Sequence, residues 1–189
     1  MRKKGFTLIE VALVLAIAGL IFMMVFITLP QVWRTQRDTQ RRDDMLTFVQ
    51  RLKNFQTNNN RGALPSKNSS ATTISFTRSD ATNTAITPAT DKTSWQAFYR
   101  DFFDDSFTDP VGEPYKIVVT KCTNSARYDQ ACDISEANAA NNATFPNEYK
   151  IYVVEGAKCN GEQAVGAANT RKVAVLYKLE GGGVYCGES

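Results

Sequence analysis

Apolar side chains are distributed along this chain in three ways, and each predicts a different kind of element. From Phe6 to Leu29 they run almost unbroken, with Glu10 the single charge. As a helix this stretch would reach about 36 Å, enough to cross a ~30 Å hydrocarbon core. From Gln31 to Thr57 the chain turns polar and keeps only a stripe. Met45, Phe48, Val49, Leu52 and Phe55 recur at the spacing of one helix face, which is expected to pack on a domain. Val32 and Trp33 are placed at a membrane interface. The helix is expected to end at Asn58–Gly62, with Pro65 sealing the stop.

Beyond the helix, Ser66 to Ala89 is rich in Thr, Ser, Asn and Ala and reads as a long surface loop. Thr93-Ser94-Trp95-Gln96 has the spacing of a capping box with Thr93 at the cap. Trp95, Phe98, Tyr99, Phe102 and Phe103 follow at helical spacing and read as core. Asp109-Pro110-Val111-Gly112-Glu113-Pro114-Tyr115 is a turn leading into a strand, with glycine free to take positive φ and the prolines stiffening the path. Three β-rich runs come next, at Tyr115–Lys121, Tyr149–Glu155 and Lys172–Leu179. A glycine turn at 181–183 then leads into a short return strand, Val184–Cys186. The pattern as a whole predicts an α+β fold: a long N-terminal helix packed on an antiparallel sheet of about four strands.

Composition narrows the chemistry. There are no histidines, which excludes Ser-His-Asp and Cys-His catalysis and any His-ligated metal. No G-x-x-x-x-G-K-[ST] phosphate loop is present. Lys and Arg total 22 against 19 Asp and Glu, but Arg2, Lys3 and Lys4 precede the apolar run, and without them the charges balance. A neutral body does not favour binding through phosphate neutralisation. Four cysteines beyond a membrane anchor, Cys122, Cys132, Cys159 and Cys186, read as two disulfides, and the absence of C-x-x-C disfavours redox or zinc chemistry. The preferred pairing is Cys122–Cys132 and Cys159–Cys186, with the other two connectivities open. Asp101, Asp104, Asp105 and Asp109, with Glu113, form an acidic cluster. Oxygen-rich loops can hold Ca²⁺, but this one lacks the spacing of an EF-hand, and no cofactor is expected. Asn68-Ser69-Ser70 and Asn142-Ala143-Thr144 match the N-glycosylation pattern.

Basic residues ahead of the apolar run place its start in the cytoplasm. The run is longer than the core of a cleaved secretory signal, and no A-x-A-like site follows it, so an anchor fits better. That anchor leaves Glu10 unexplained. A carboxylate costs roughly 2.5–3.5 kcal/mol at the bilayer centre, so it calls for a cationic partner. The candidates are Lys3 and Lys4 or, if the leader is removed before Phe6, a new amino terminus about one helical turn away.

Lys4-Gly5-Phe6-Thr7-Leu8-Ile9-Glu10 and the apolar run behind it resemble the class III signal of type IV pilins and pseudopilins. The Asp109–Tyr115 turn resembles the Asp-Pro-x-Gly-x-Pro-Tyr turn of many bacterial pilins and of major type II secretion pseudopilins, with Val111 where an aromatic is common. The resemblance implies the type IV pilin fold in five segments: leader 1–5, membrane and filament-core helix 6–29, amphipathic continuation 30–57, αβ-loop with an aromatic helix 58–114, and a sheet with a disulfide-bonded C-terminal region 115–189. It implies cleavage between Gly5 and Phe6 by a prepilin peptidase, N-methylation of Phe6, and pairing of Glu10 with the Phe6 amine of an adjacent subunit. Any melted stretch of the helix would fall between Gly19 and Pro30. The implied protein is not an enzyme. It is a structural subunit of a pilus-like filament, serving adhesion, twitching motility or DNA uptake, or else a type II secretion pseudopilin. Its implied partners are further copies of itself, minor pilins, an inner-membrane platform protein and an assembly ATPase. It would sit in the cytoplasmic membrane with its N-terminus inside, then at the cell surface in a filament. In that setting the mixed charges from Arg34 to Asp44 are either a solvated face or a register-setting contact between subunits. A membrane-anchored extracytoplasmic binding module is the alternative of a different class.

Overall fold

The computed structural model describes residues 5, 7–58, 62–67, 73–85, 87, 88, 90–122, 131, 132 and 149–189. Both glycosylation patterns, Phe6 and residues 1–4 of the leader lie outside these residues. The chain divides into two compact units, Met1–Arg37 and Asp38–Ser189.

Helix α1 runs from Leu8 to Asn58 and includes both Gly19 and Pro30. From Leu8 to Leu29 every residue except Ala18 is exposed. Phe26 and Ile27 are 72% and 73% accessible. Such a surface is apolar all round, and among the described residues α1 is long and apolar enough to cross a membrane.

In the second unit the expected stripe is buried. Met45, Phe48, Val49, Leu52 and Phe55 enter one core with the aromatic helix α3 (Trp95–Phe102). Phe98 meets Phe48 and Phe55 edge-on at 5.7 and 5.4 Å, geometry that suits the ring quadrupoles. The cap of α3 is Ser94, one residue later than the sequence suggested. Its fully buried hydroxyl accepts from the Ala97 N–H. Thr93 is exposed and instead follows an Asx turn at Asp91.

The sheet differs from expectation in number and direction. It has five strands in the order β1 (Ile74–Phe76), β2 (Lys116–Lys121), β3 (Lys150–Glu155), β6 (Val173–Lys178) and β7 (Val184–Glu188). The β2–β3 pair is parallel and the other three pairs are antiparallel. A parallel pair needs a long crossover, which the chain between Lys121 and Lys150 supplies. The extra edge strand β1, and the short helix α2 (Arg78–Thr82) after it, come from the stretch expected to be loop.

Strands β4 (Ala157–Asn160) and β5 (Gln163–Gly166) form a separate hairpin that the sequence reading did not include. The hairpin explains why β2 and β3 read as unbroken β-branched runs. Ile117, Val119, Ile151, Val153, Val173 and Val175 face the helices. Val118, Tyr152, Val154, Ala174 and Leu176 share a second core with Ala157, Ala164, Cys122 and Cys132. With both faces covered, alternation between apolar and polar positions disappears.

Candidate functional site

The residues singled out for processing and assembly lie at the start of α1. Gly5 is exposed and non-helical, and Leu8 is 88% accessible. Thr7 precedes the helix, and Glu10 is its third residue. The Thr7 N–H and hydroxyl each donate to Glu10 Oε2 at 2.9 Å, and the Glu10 N–H returns a longer bond to Thr7 Oγ1 at 3.4 Å. This reciprocal pair is a capping box, which satisfies donors that no helical carbonyl reaches. The Thr-x-x-Glu spacing was the signal for it. Glu10 therefore has an intramolecular partner in the single chain.

The acidic cluster does not gather. Asp101 accepts from Arg100 Nε at 2.7 Å and pairs with Lys92 at 3.3 Å, and these cations hold its carboxyl below the usual range against the effect of burial. Asp105 pairs with Arg78 at 3.2 Å. Asp104 accepts from the Ser106 hydroxyl at 2.6 Å. Asp109 is buried elsewhere, on Arg41. Among the described residues no group of three or more His, Cys, Asp or Glu could hold a metal ion.

Cys122 bonds to Cys132 and Cys159 to Cys186. The first bond closes a loop beside the end of β2. The second ties the β4–β5 hairpin to the edge strand β7.

What sequence reasoning missed is a buried polar knot in the second unit. Arg41 is only 5% exposed, so neither the solvated-face nor the register-setting reading describes it. Its Nε and Nη2 donate to the two oxygens of Asp109 at 2.7 and 2.9 Å, a bidentate fork. Its Nη1 donates to Asp38 at 3.0 Å and Glu180 at 3.1 Å. The Tyr177 hydroxyl donates to Asp109 at 2.7 Å. Asp38 also accepts the N–H groups of Glu180 and Gly181, at 2.8 and 2.7 Å. One helical turn of α1 is thereby joined to the β6–β7 turn and to the Asp109 turn.

The Asp109 turn is built around the same carboxylate. Asp109 Oδ1 accepts the Val111 N–H at 3.1 Å, and the Gly112 N–H reaches the Asp109 carbonyl at 2.7 Å. Gly112 adopts φ +93°, which favours glycine. The turn ends at Tyr115, whose hydroxyl donates to Asp44 at 2.8 Å. Burial, reinforced by the neighbouring carboxylates, pushes the Tyr115 and Tyr177 phenols well above the usual tyrosine range. Asp109 is the principal cause that raises the pKa of Arg41 further still. Burial raises the Asp44 carboxyl, and the Tyr115 hydrogen bond opposes that shift in part. Fixed charges at full occupancy of their partners make this knot a structural clamp on the helix.

Residues 1–26 match the family described as the prokaryotic N-terminal methylation motif. The chain thus carries the class III signal of type IV pilins and pseudopilins, and that signal implies a membrane-anchored precursor processed by a prepilin peptidase. No curated protein and no solved structure matches the chain.

Proposed function

We propose that the protein is a structural subunit of a type IV pilus or pilus-like filament. The observation that carries this reading is the first half of α1. It is an exposed, all-round apolar helix that begins at a methylation motif and carries one carboxylate. Water is an unfavourable solvent for such a surface, and lipid or other copies of the helix are the alternatives. Cleavage after Gly5 exposes the Phe6 amine, which is methylated. The helix then leaves the cytoplasmic membrane for the filament core, and Glu10 exchanges the Thr7 cap for the Phe6 amine of a neighbouring subunit. A buried carboxylate left without its cation is strongly penalised, so this pair rejects wrong register. A platform protein and an assembly ATPase supply the membrane machinery and the work. The second unit then decorates the filament at the cell surface, where adhesion, motility or DNA uptake takes place.

Two substitutions test the reading. Gly5→Leu should leave the precursor uncut, seen as a band of unchanged mobility. Glu10→Leu should be cut normally yet be missing from sheared filaments. Normal filament yield from Glu10→Leu would contradict the proposal.

A further inference from the structure

We infer that the Cys159–Cys186 bond is a site of thiol–disulfide exchange with a dithiol, and that while closed it shields Cys122–Cys132 from the same reaction. The inference does not depend on filament assembly.

The two bonds differ in their surroundings. Cys122 and Cys132 are each 4% exposed and belong to the core on the face of the sheet away from the helices, with Val118, Tyr152, Val154 and Leu176. Cys159 and Cys186 are half-buried and pack against that core from outside. A thiolate must reach a sulfur atom to displace its partner, so access decides which bond reacts first.

The cover over the inner bond is the hairpin that the outer bond fastens. Ala157 of β4 and Ala164 of β5 share the core of Cys122 and Cys132. The Cys132 N–H donates to the Ala164 carbonyl at 2.9 Å, and Ala131 forms a β-bridge with Val165. Strand β5 therefore lies directly against Cys132. The hairpin is itself lightly held. Its buried apolar side chains are Ala157, Ala164 and Val165, small groups that each remove little area from water. Cys159 joins it to β7, and the Glu188 carboxylate supports that junction by accepting the Cys159 N–H at 3.1 Å. The five-stranded sheet has other support. Its opposite face carries the aromatic core, and Asp38 and Arg41 pin the turn between β6 and β7. Opening Cys159–Cys186 thus loosens a local unit and leaves the rest folded.

The exchange balances between one bond and one dithiol. A thiolate of the dithiol attacks a sulfur of Cys159–Cys186, forms a mixed disulfide and releases the other cysteine as a thiolate, which takes up a proton. The second thiol of the reagent then loses its proton and closes on the first. The reagent leaves as a disulfide, oxidised by two electrons, and Cys159 and Cys186 remain as thiols. With the hairpin loosened, Cys122–Cys132 is open to a second equivalent.

The test is timed reduction of the full chain in detergent micelles with dithiothreitol, quenched by N-ethylmaleimide and read by intact mass and peptide mapping. A chain labelled at Cys159 and Cys186 alone should appear first, and the chain labelled at all four cysteines should follow it. In Cys159→Ser with Cys186→Ser, the initial rate of Cys122–Cys132 reduction should rise about 30-fold over wild type, the lower end of what losing such a cross-link does to a local opening equilibrium. The circular dichroism spectrum of that variant should keep its sheet signal. Loss of both bonds in one step, first labelling at Cys122 and Cys132, an unchanged Cys122–Cys132 rate in the variant, or a variant without its sheet would overturn the inference.

Discussion

The Arg41 side chain is 6% exposed and has a bidentate partner 68 residues away, with three further carboxylate or phenol groups around that pair. Buried ion pairs contribute little beyond an apolar substitute, but removing one member alone leaves the other charge buried and costs about 3–5 kcal/mol. Arg41→Ala should therefore lower unfolding free energy by about that amount in a denaturant titration, whereas a pair acting like a surface salt bridge would cost under about 1 kcal/mol.

The pH dependence separates two other carboxylates. The folded-state value of Asp44 is raised, so its contribution is most favourable at low pH and declines as pH rises through that value. The value of Glu188 is lowered, first by the Cys159 N–H and then by Lys172, so its contribution is present above the ordinary glutamate range and disappears as pH falls. Asp44→Asn should accordingly gain stability relative to wild type as pH rises from acid to neutral, and Glu188→Gln should lose it. Parallel pH profiles for both variants would refute this assignment.

The sequence revealed these residues unevenly. Thr7 and Glu10 are three apart, the spacing of a capping box, but the search for a cationic partner for Glu10 passed it over. Arg41 stands in a run of alternating charges that resembles solvated helix, and only the fold brings Asp109 to it.

At the level of elements, the legible parts were those with a long period or a strong stripe. The buried face from Met45 to Phe55, the aromatic α3 and the three central strands lie within a residue or two of their expected places. The misses were short. Strand β1 has three residues inside a Ser/Thr-rich stretch, too few to show alternation. The β4–β5 hairpin offers little apolar pattern, since Ala157, Ala164 and Val165 are its main buried apolar positions. The parallel direction of β2 and β3 was hidden because burial on both faces removes the polar positions that would reveal how a strand sits.

Without a large core of its own, the hairpin depends on the Cys159–Cys186 bond, which joins residues 27 apart. Cys159→Ser with Cys186→Ser should lower stability by about 2–4 kcal/mol, and amides of β4 and β5 should exchange faster than those of β3 and β6. Uniform loss of protection across both sheets would show that the bond supports the whole unit rather than the hairpin.

For the whole molecule, two kinds of surface need two kinds of explanation. The second unit buries its apolar side chains around two sides of one sheet and clamps α1 with a fully engaged ionic knot. The first unit buries almost nothing. An all-round apolar helix that begins at a methylation motif is explained by a life in lipid and then among other copies of itself. That is the central claim, and intact mass of material sheared from the cell surface tests it most directly. The account predicts a chain that starts at Phe6, carries one added methyl group and lacks the four hydrogens removed by the two disulfides. A chain found only in the membrane fraction, with Met1 to Gly5 still attached, would contradict it.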